Sequence, residues 1–259
     1  MSDNDDDDKV KKLLAEAHDA GALSAKALAA LELVDVGAQI QAGLGVTIDD
    51  VAASEVVLLT MMPDDSQSIA AANNTDAVRD GHNFVLDALG KSKQSGEVLA
   101  HTRYLNGSVL FPYTQLAHAQ RMTAANYDPC LGTPLFDQAV VLLGTVIAKA
   151  QELAQAGIAV RTVTLIITDG GDYGSTRFKP QDVAAIVADM LGQENHIVAA
   201  MGISDGTTDF KKVFRAMGIP DKWILTPGNS SSEIRRAFQV FSQSAVRASQ
   251  GLQLGGFSN

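Results

Sequence analysis

Three oxygen-bearing side chains stand at alternate positions in one short stretch, Asp64, Ser66 and Ser68, directly after the apolar run Val56-Val57-Leu58-Leu59-Thr60-Met61-Met62. A carboxylate and two hydroxyls at i, i+2 and i+4, on a loop leaving a buried strand, can all turn toward one point. Hard divalent cations take such oxygen ligands. The same residues also suit a helix start with Asp64 or Ser66 as N-cap, so the stretch alone leaves both readings open. Two further segments bear on the choice. Thr133 precedes Pro134 at the start of a helical apolar pattern, where proline fits the first turn. The β-branched run at residues 162–168 ends on Asp169, followed by Gly170 and Gly171, which puts a second carboxylate at the end of a strand.

Taken together, these segments resemble the von Willebrand factor A (VWA) family, the integrin I-domain-like fold, whose metal-ion-dependent adhesion site (MIDAS) reads Asp-x-Ser-x-Ser, then Thr, then Asp. On this resemblance the metal ligands are Asp64, Ser66, Ser68, Thr133 and Asp169. It extends over roughly residues 54–246. Gln67 stands where the family usually has Gly, and Pro63 precedes the first Asp, which restrains the backbone and removes a donor just before the loop. In the family, an open position on the metal accepts an Asp or Glu carboxylate from a protein partner, and the last helix shifts between open and closed states.

Two carboxylates, three hydroxyls and water suit Mg²⁺, with Mn²⁺ an equal fit to the geometry. Zinc is disfavoured because His18, His82, His101, His118 and His196 lack ligand spacing. Asp172 and Tyr173, just beyond Asp169, are candidates for the rim around a partner residue.

The elements that must position these groups follow from patterning. Strands are expected at residues 55–62, 97–104, 109–111, 162–168, 196–203 and 223–226, and helices at 69–89, 113–119, 136–155, 182–191, 210–217 and 231–246. Asn106-Gly107 marks a hairpin between the second and third strands. Strands alternating with helices, after one early hairpin, give a doubly wound, mostly parallel six-stranded α/β sheet with one antiparallel edge strand. With strand order 3-2-1-4-5-6 the winding reverses between strands one and four, and ligands of such sheets bind outside the carboxyl ends at that point. Asp64 follows strand one and Asp169 follows strand four, so connectivity by itself brings the two carboxylates together.

Ahead of this domain, Val10, Leu13, Leu14 and Ala17, then Leu23, Ala27, Leu28 and Leu31, recur at helical spacing. The expected organisation is an acidic disordered tail at residues 1–8, a helical extension at 9–50, the VWA-like domain at 51–246 and a flexible tail at 247–259. The extension either packs on its own domain or docks on another subunit to form an oligomer.

Composition limits the function classes. With 46% hydrophobic but only 5% aromatic residues, the core must be built from Ala, Val, Leu and Ile, as in a parallel sheet covered by helices. A formal charge of −10, about half of it from residues 3–8, makes nucleic acid and anionic membranes poor partners, since each calls for a clustered basic face. Cys130 is the only cysteine, so no internal disulfide can form, which with the acidic N-terminus leads to a cytoplasmic expectation. The functional expectation is a metal-dependent protein-binding module without catalysis. The alternatives are an adaptor of an AAA-type ATPase, a Mg²⁺-dependent phosphohydrolase and a self-assembling structural protein.

Overall fold

The computed structural model describes residues 3–33, 35–92, 97–252 and 255–257. The first two residues of the expected acidic tail, residue 34, and positions 253–254 and 258–259 of the expected flexible tail lie outside them.

The apolar run becomes β1 (Glu55–Met62), buried from Val56 to Met62 because both of its faces are covered. It is flanked by β2 (Val98–Arg103) and β4 (Ala159–Thr168), both parallel to it. β5 (His196–Gly202) and the two-residue β6 (Ile224–Leu225) continue the parallel sheet, and β3 (Val109–Gln115) closes the other side antiparallel to β2. The strand order is β3-β2-β1-β4-β5-β6, as the alternation of elements predicts.

The hairpin differs from its expectation in two respects. Only Gly107 has positive φ (+100°), and its N–H bonds to the Tyr104 carbonyl at 2.9 Å, while the Tyr104 N–H takes Ser108 O at 2.8 Å. This is the longer loop with a glycine bulge, not a two-residue turn with both central residues left-handed. Beyond it, β3 runs through Pro112 to Gln115, and only Leu116–His118 turn helically, where a helix over 113–119 was expected. Pro112 is tolerated because β3 is an edge strand with register shifts against β2, so its missing N–H interrupts no inner ladder.

The extension forms α1 (Asp3–Asp19), α2 (Ala25–Leu31) and α3 (Val36–Leu44). Helix α1 begins within the stretch expected to be disordered. Once residues 10–17 are anchored by packing, each further helical residue toward the N-terminus needs only propagation, and acidic residues suit the positive end of the helix dipole.

The three helices pack within the chain. Helices α1 and α3 lie on α6 (Leu135–Gln155), and α2 lies on α7 (Pro180–Gly192). This settles the character of α6, in which every residue from Gln138 to Lys149 is buried. A helix apolar all round needs cover all round, and here the sheet supplies one side and the extension the other. Buried Lys149 links the layers: its Nζ donates to Val46 O and, at 2.7 Å, to Glu152 Oε2, while Lys9 pairs with Glu152 Oε1 at 2.7 Å. The apolar stripe that would have served to join a second copy is thus covered inside the monomer.

On the opposite face, α5 (Thr75–Gly90) and α9 (Ser231–Ser249) pack tightly. A short helix α4 (Gln67–Ala71) precedes α5, the break falling at Asn73 with φ +58°, so the expected single helix over 69–89 is two. Phe84 of α5 is 39% exposed. Ile234, Phe238 and Phe241 hold α9 down, and a Cβ added at Gly81 would lie 2.1 Å from the Phe238 ring. Helix α8 (Phe210–Ala216) covers the β5 end. At the C-terminus, α9 runs three residues beyond its expected end, and Phe257 returns to pack edge-on against Trp223 with ring centroids 5.1 Å apart.

If the extension is an integral layer of the core, Leu14→Ala should lower unfolding free energy by about 2–5 kcal/mol in a single cooperative transition. A urea titration followed by circular dichroism measures both. An unchanged midpoint, or separate transitions for the extension and the sheet, would contradict this packing.

Candidate metal centre

The loops after β1 and β4 meet at the carboxyl edge of the sheet, where the winding reverses. Asp64 is wholly buried and Asp169 is 3% exposed. Asp64 Oδ1 accepts the Ser66 N–H at 2.7 Å, and Oδ2 accepts the Thr168 hydroxyl at 2.8 Å and the Asp169 N–H at 3.2 Å. One carboxylate therefore fixes its own loop and the end of β4 together.

A line of oxygens leads outward from there. The Ser68 hydroxyl donates to Asp169 Oδ1 at 2.6 Å and lies 2.9 Å from Ser66 Oγ. Because Ser68 spends its proton on Asp169, Ser66 is the donor in the second bond, and both serine oxygens keep lone pairs free. Asp64, Ser66, Ser68 and Asp169 thus form one hydrogen-bonded group.

Thr133 reaches the same edge by its backbone. Leu131 O accepts the Gln67 N–H at 3.0 Å, and Thr133 exchanges two backbone bonds with Tyr173, at 3.0 and 2.8 Å. Its hydroxyl has no side-chain partner among the described residues, and the task of capping α6 falls elsewhere. Ser175 Oγ accepts from the Phe136 and Asp137 N–H groups at 3.0 and 3.1 Å, with Asp172 Oδ1 beside it at 3.2 Å from Phe136 N. Pro134 occupies the N-cap position and not the first turn. Asp172 is therefore a structural cap and leaves the rim, whereas Tyr173 stays 82% exposed next to the site.

Sequence reading missed several supporting groups. Tyr127 OH donates to the Asp64 carbonyl, and Asn106 N–H holds Asp65 Oδ1 at 3.0 Å, so Asp65 anchors the hairpin loop. Asp205, at the end of β5, lies close enough to push Asp169 upward by repulsion. The hydrophobic run before Asp205 could have shown its place at the same sheet edge. Cys130, three residues before Thr133, is exposed.

The electrostatics are unbalanced. Burial raises Asp64, and burial followed by repulsion from Asp64 and Asp205 pushes Asp169 up to about 6 from an ordinary 3.8. Asp65 is also pushed up to about 6, first by burial. No lysine, arginine or histidine bonds to Asp64 or Asp169 among the described residues. No cluster of three or more His, Cys, Asp or Glu side chains able to hold a metal occurs there either. The donor set is therefore two carboxylates supplemented by hydroxyls, oxygen groups that a divalent cation can take.

No protein-family profile matches the sequence, and no curated protein is significantly similar to it. Solved structures are. A second crystal form of proximal thread matrix protein 1 (PTMP1) from the mussel byssus aligns at 15% identity and TM-score 0.52, over 74% of this chain and 48% of that one. The pilus adhesin SpaC from Lactobacillus rhamnosus GG, in its open conformation, aligns at 13% identity and TM-score 0.52, over 76% of this chain and 30% of that one. The chain has a VWA-like fold. The SpRpn10 VWA domain is a looser match, with TM-score 0.48 and 10% identity over 70% of this chain and 93% of that domain. The VWA-like chain spans about half or less of the length of PTMP1 and SpaC, and likeness at these identities concerns the fold.

The raised carboxyls fix the sign of a pH effect. Their folded-state values lie above the unfolded ones, so they favour the metal-free fold most at low pH, and this contribution is lost as pH rises from about 4 through about 6. A cation competing with these protons acts in the opposite sense. The melting temperature difference between Mg²⁺ and EDTA should be large at pH 7.5 and shrink as pH falls through 6. Equal differences at pH 5 and 7.5, read by differential scanning fluorimetry, would contradict it.

Proposed function

We propose that the VWA-like chain is a divalent-metal-dependent protein-binding module that acts without catalysis, as an adaptor or assembly subunit. Asp64, Ser66, Ser68, Thr133 and Asp169 are the residues that would hold Mg²⁺ or Mn²⁺. The observation that carries this reading is the buried pair Asp64 and Asp169, linked through Ser66 and Ser68 and matched by no cation among the described residues. Burying carboxylates without a counter-charge is costly, and a bound cation removes that cost.

The partner in this reading is a protein presenting an Asp or Glu carboxylate. An acidic chain can attract an acidic group at this point because a metal ion inverts the local field. The five residues do not enclose a cation by themselves, which leaves room for such a ligand.

Against hydrolysis stands the make-up of the edge: among the described residues, the hydroxyl–carboxylate pairs besides the ligands, Ser175 with Asp172 and Thr207 and Thr208 with Asp205, are engaged in holding backbone N–H groups. The histidines are committed elsewhere. His82 and His196 bond to Thr102 and Thr162, at 2.9 and 2.7 Å, and burial holds both at about 4. A cytoplasmic setting is part of the proposal, supported by the single free cysteine. Among the described residues no helix is long and apolar enough to cross a membrane.

Calorimetric Mg²⁺ titration should show binding to the wild type and at least a tenfold loss, about 1.4 kcal/mol, in Asp64→Ala and in Asp169→Asn. Equal affinity in wild type and Asp64→Ala would overturn the metal assignment. With the metal established, protein captured in Mg²⁺ should be released by EDTA and not be captured by Asp64→Ala. Capture indifferent to both would overturn the metal-dependent role.

A further inference from the structure

Arg103, the last residue of β2, is 1% exposed and lies under α3. Among the described residues it makes one hydrogen bond, from Nη2 to Gln39 O in α3, and its Nε and Nη1 have no partner. It forms no ion pair among the described residues, and burial lowers its pKa to about 10. Buried arginine is seldom left unpaired.

His101, two residues earlier and on the same face of β2, lies beneath the same helix. Its Nδ1 donates to Phe111 O at 2.8 Å, which leaves Nε2 as a lone-pair acceptor, and that atom has no donor. A Cβ added at Gly43 of α3 would sit 3.1 Å from His101 Nε2. Gln138 Oε1, whose side chain also reaches toward Gln39, is unsatisfied as well. Arg103 and His101 are thus sealed from water by α3 itself, with Gln138 joined to that helix through Gln39.

The apolar return for this is small. Helix α3 brings only Val36, Ile40 and Leu44 as large buried side chains, alongside Gly37 and Gly43. Dehydrating a charge without a partner offsets several such groups. Both ends of α3 have left-handed φ. Asp35 at the N-cap has φ +68°, makes no side-chain cap bond and pairs at the surface with Arg177 at 3.4 Å. Gly45 at the C-cap has φ +63°, and a Cβ there would fall 2.0 Å from Tyr113 O. Just beyond this hinge the chain is anchored, Val46 donating to Tyr113 O at 2.8 Å and accepting from buried Lys149.

We propose that α3 is a displaceable cover, which lifts about Gly45 while the rest of the domain stays folded, because closing it dehydrates a guanidinium that no described residue neutralises. Lifting it hydrates Arg103, His101 and Gln138. It also frees the residue leading into the loop whose Leu105 and Asn106 N–H groups hold Pro63 O and Asp65 Oδ1, each at 3.0 Å. The cover thereby adjoins the metal loop through a short covalent path.

Hydrogen exchange of the full chain, read by mass spectrometry, tests this. In the wild type, amides of residues 36–44 should exchange at least tenfold faster than those of 138–149, at a rate independent of low urea. Arg103→Met keeps the stem and removes the charge, and should slow exchange in 36–44 at least tenfold without changing 138–149. Arg103→Leu is the second variant if methionine is not accommodated. Wild-type exchange of α3 in step with α6, or exchange in α3 undiminished by the folded variant, would overturn the proposal.

Discussion

Everything at the candidate centre depends on how Asp64 is held. Its two oxygens take three protein donors, one from its own loop and two from the end of β4. This fixes the carboxylate against the strand next to β1 across the reversal in winding. An acid held so firmly stays in place when Asp169 is brought near, although the two repel. The repulsion is built into the fold by connectivity, and a cation is the simplest agent that relieves it.

Much of this was legible in the sequence because it is periodic or topological. The apolar run before Asp64 and the β-branched run before Asp169 specify strands, and the order of elements specifies their adjacency. What escaped detection arises from contacts between distant segments. Nothing near Leu135 announces that Ser175 and Asp172 cap α6, and that long-range cap is what leaves the Thr133 hydroxyl unspent. Pro112 reads locally as the end of a strand, and only its edge position with shifted register lets β3 continue. The acidic start looks unable to fold alone, and as an isolated segment it could not. It is helical as the continuation of a packed helix.

Helix α6 connects the site to the extension. Its N-terminus is the end that carries Thr133, and its whole middle is enclosed. A VWA-like sheet with only one helical layer on this side would leave the outer stripe of α6 in water, so the apolar run at Ala139–Leu143 already implied a second cover. The sequence pattern could not say whether that cover came from the same chain, because an amphipathic stripe is indifferent to which chain supplies its partner. The packing of α1 and α3 on α6, with the ion pair of Lys9 and Glu152, places it in the same chain.

The molecule carries unmatched buried charge of both signs, and the geometry of the strand keeps the two apart. Successive residues on β2 point to opposite faces: Thr102 meets His82 on the α5 side, while Arg103 lies under α3 on the α6 side. The carboxylates stand off the strand ends, and no bond or charge effect of Arg103 reaches them. Were the guanidinium to reach Asp64 or Asp169, the pair would neutralise internally, and the centre would lose its demand for an external cation. Both charges therefore remain costly to the fold, and places where a fold tolerates such cost are where binding and movement are expected. In the proposed reading the carboxylates attract a metal, and the arginine keeps its cover only loosely closed.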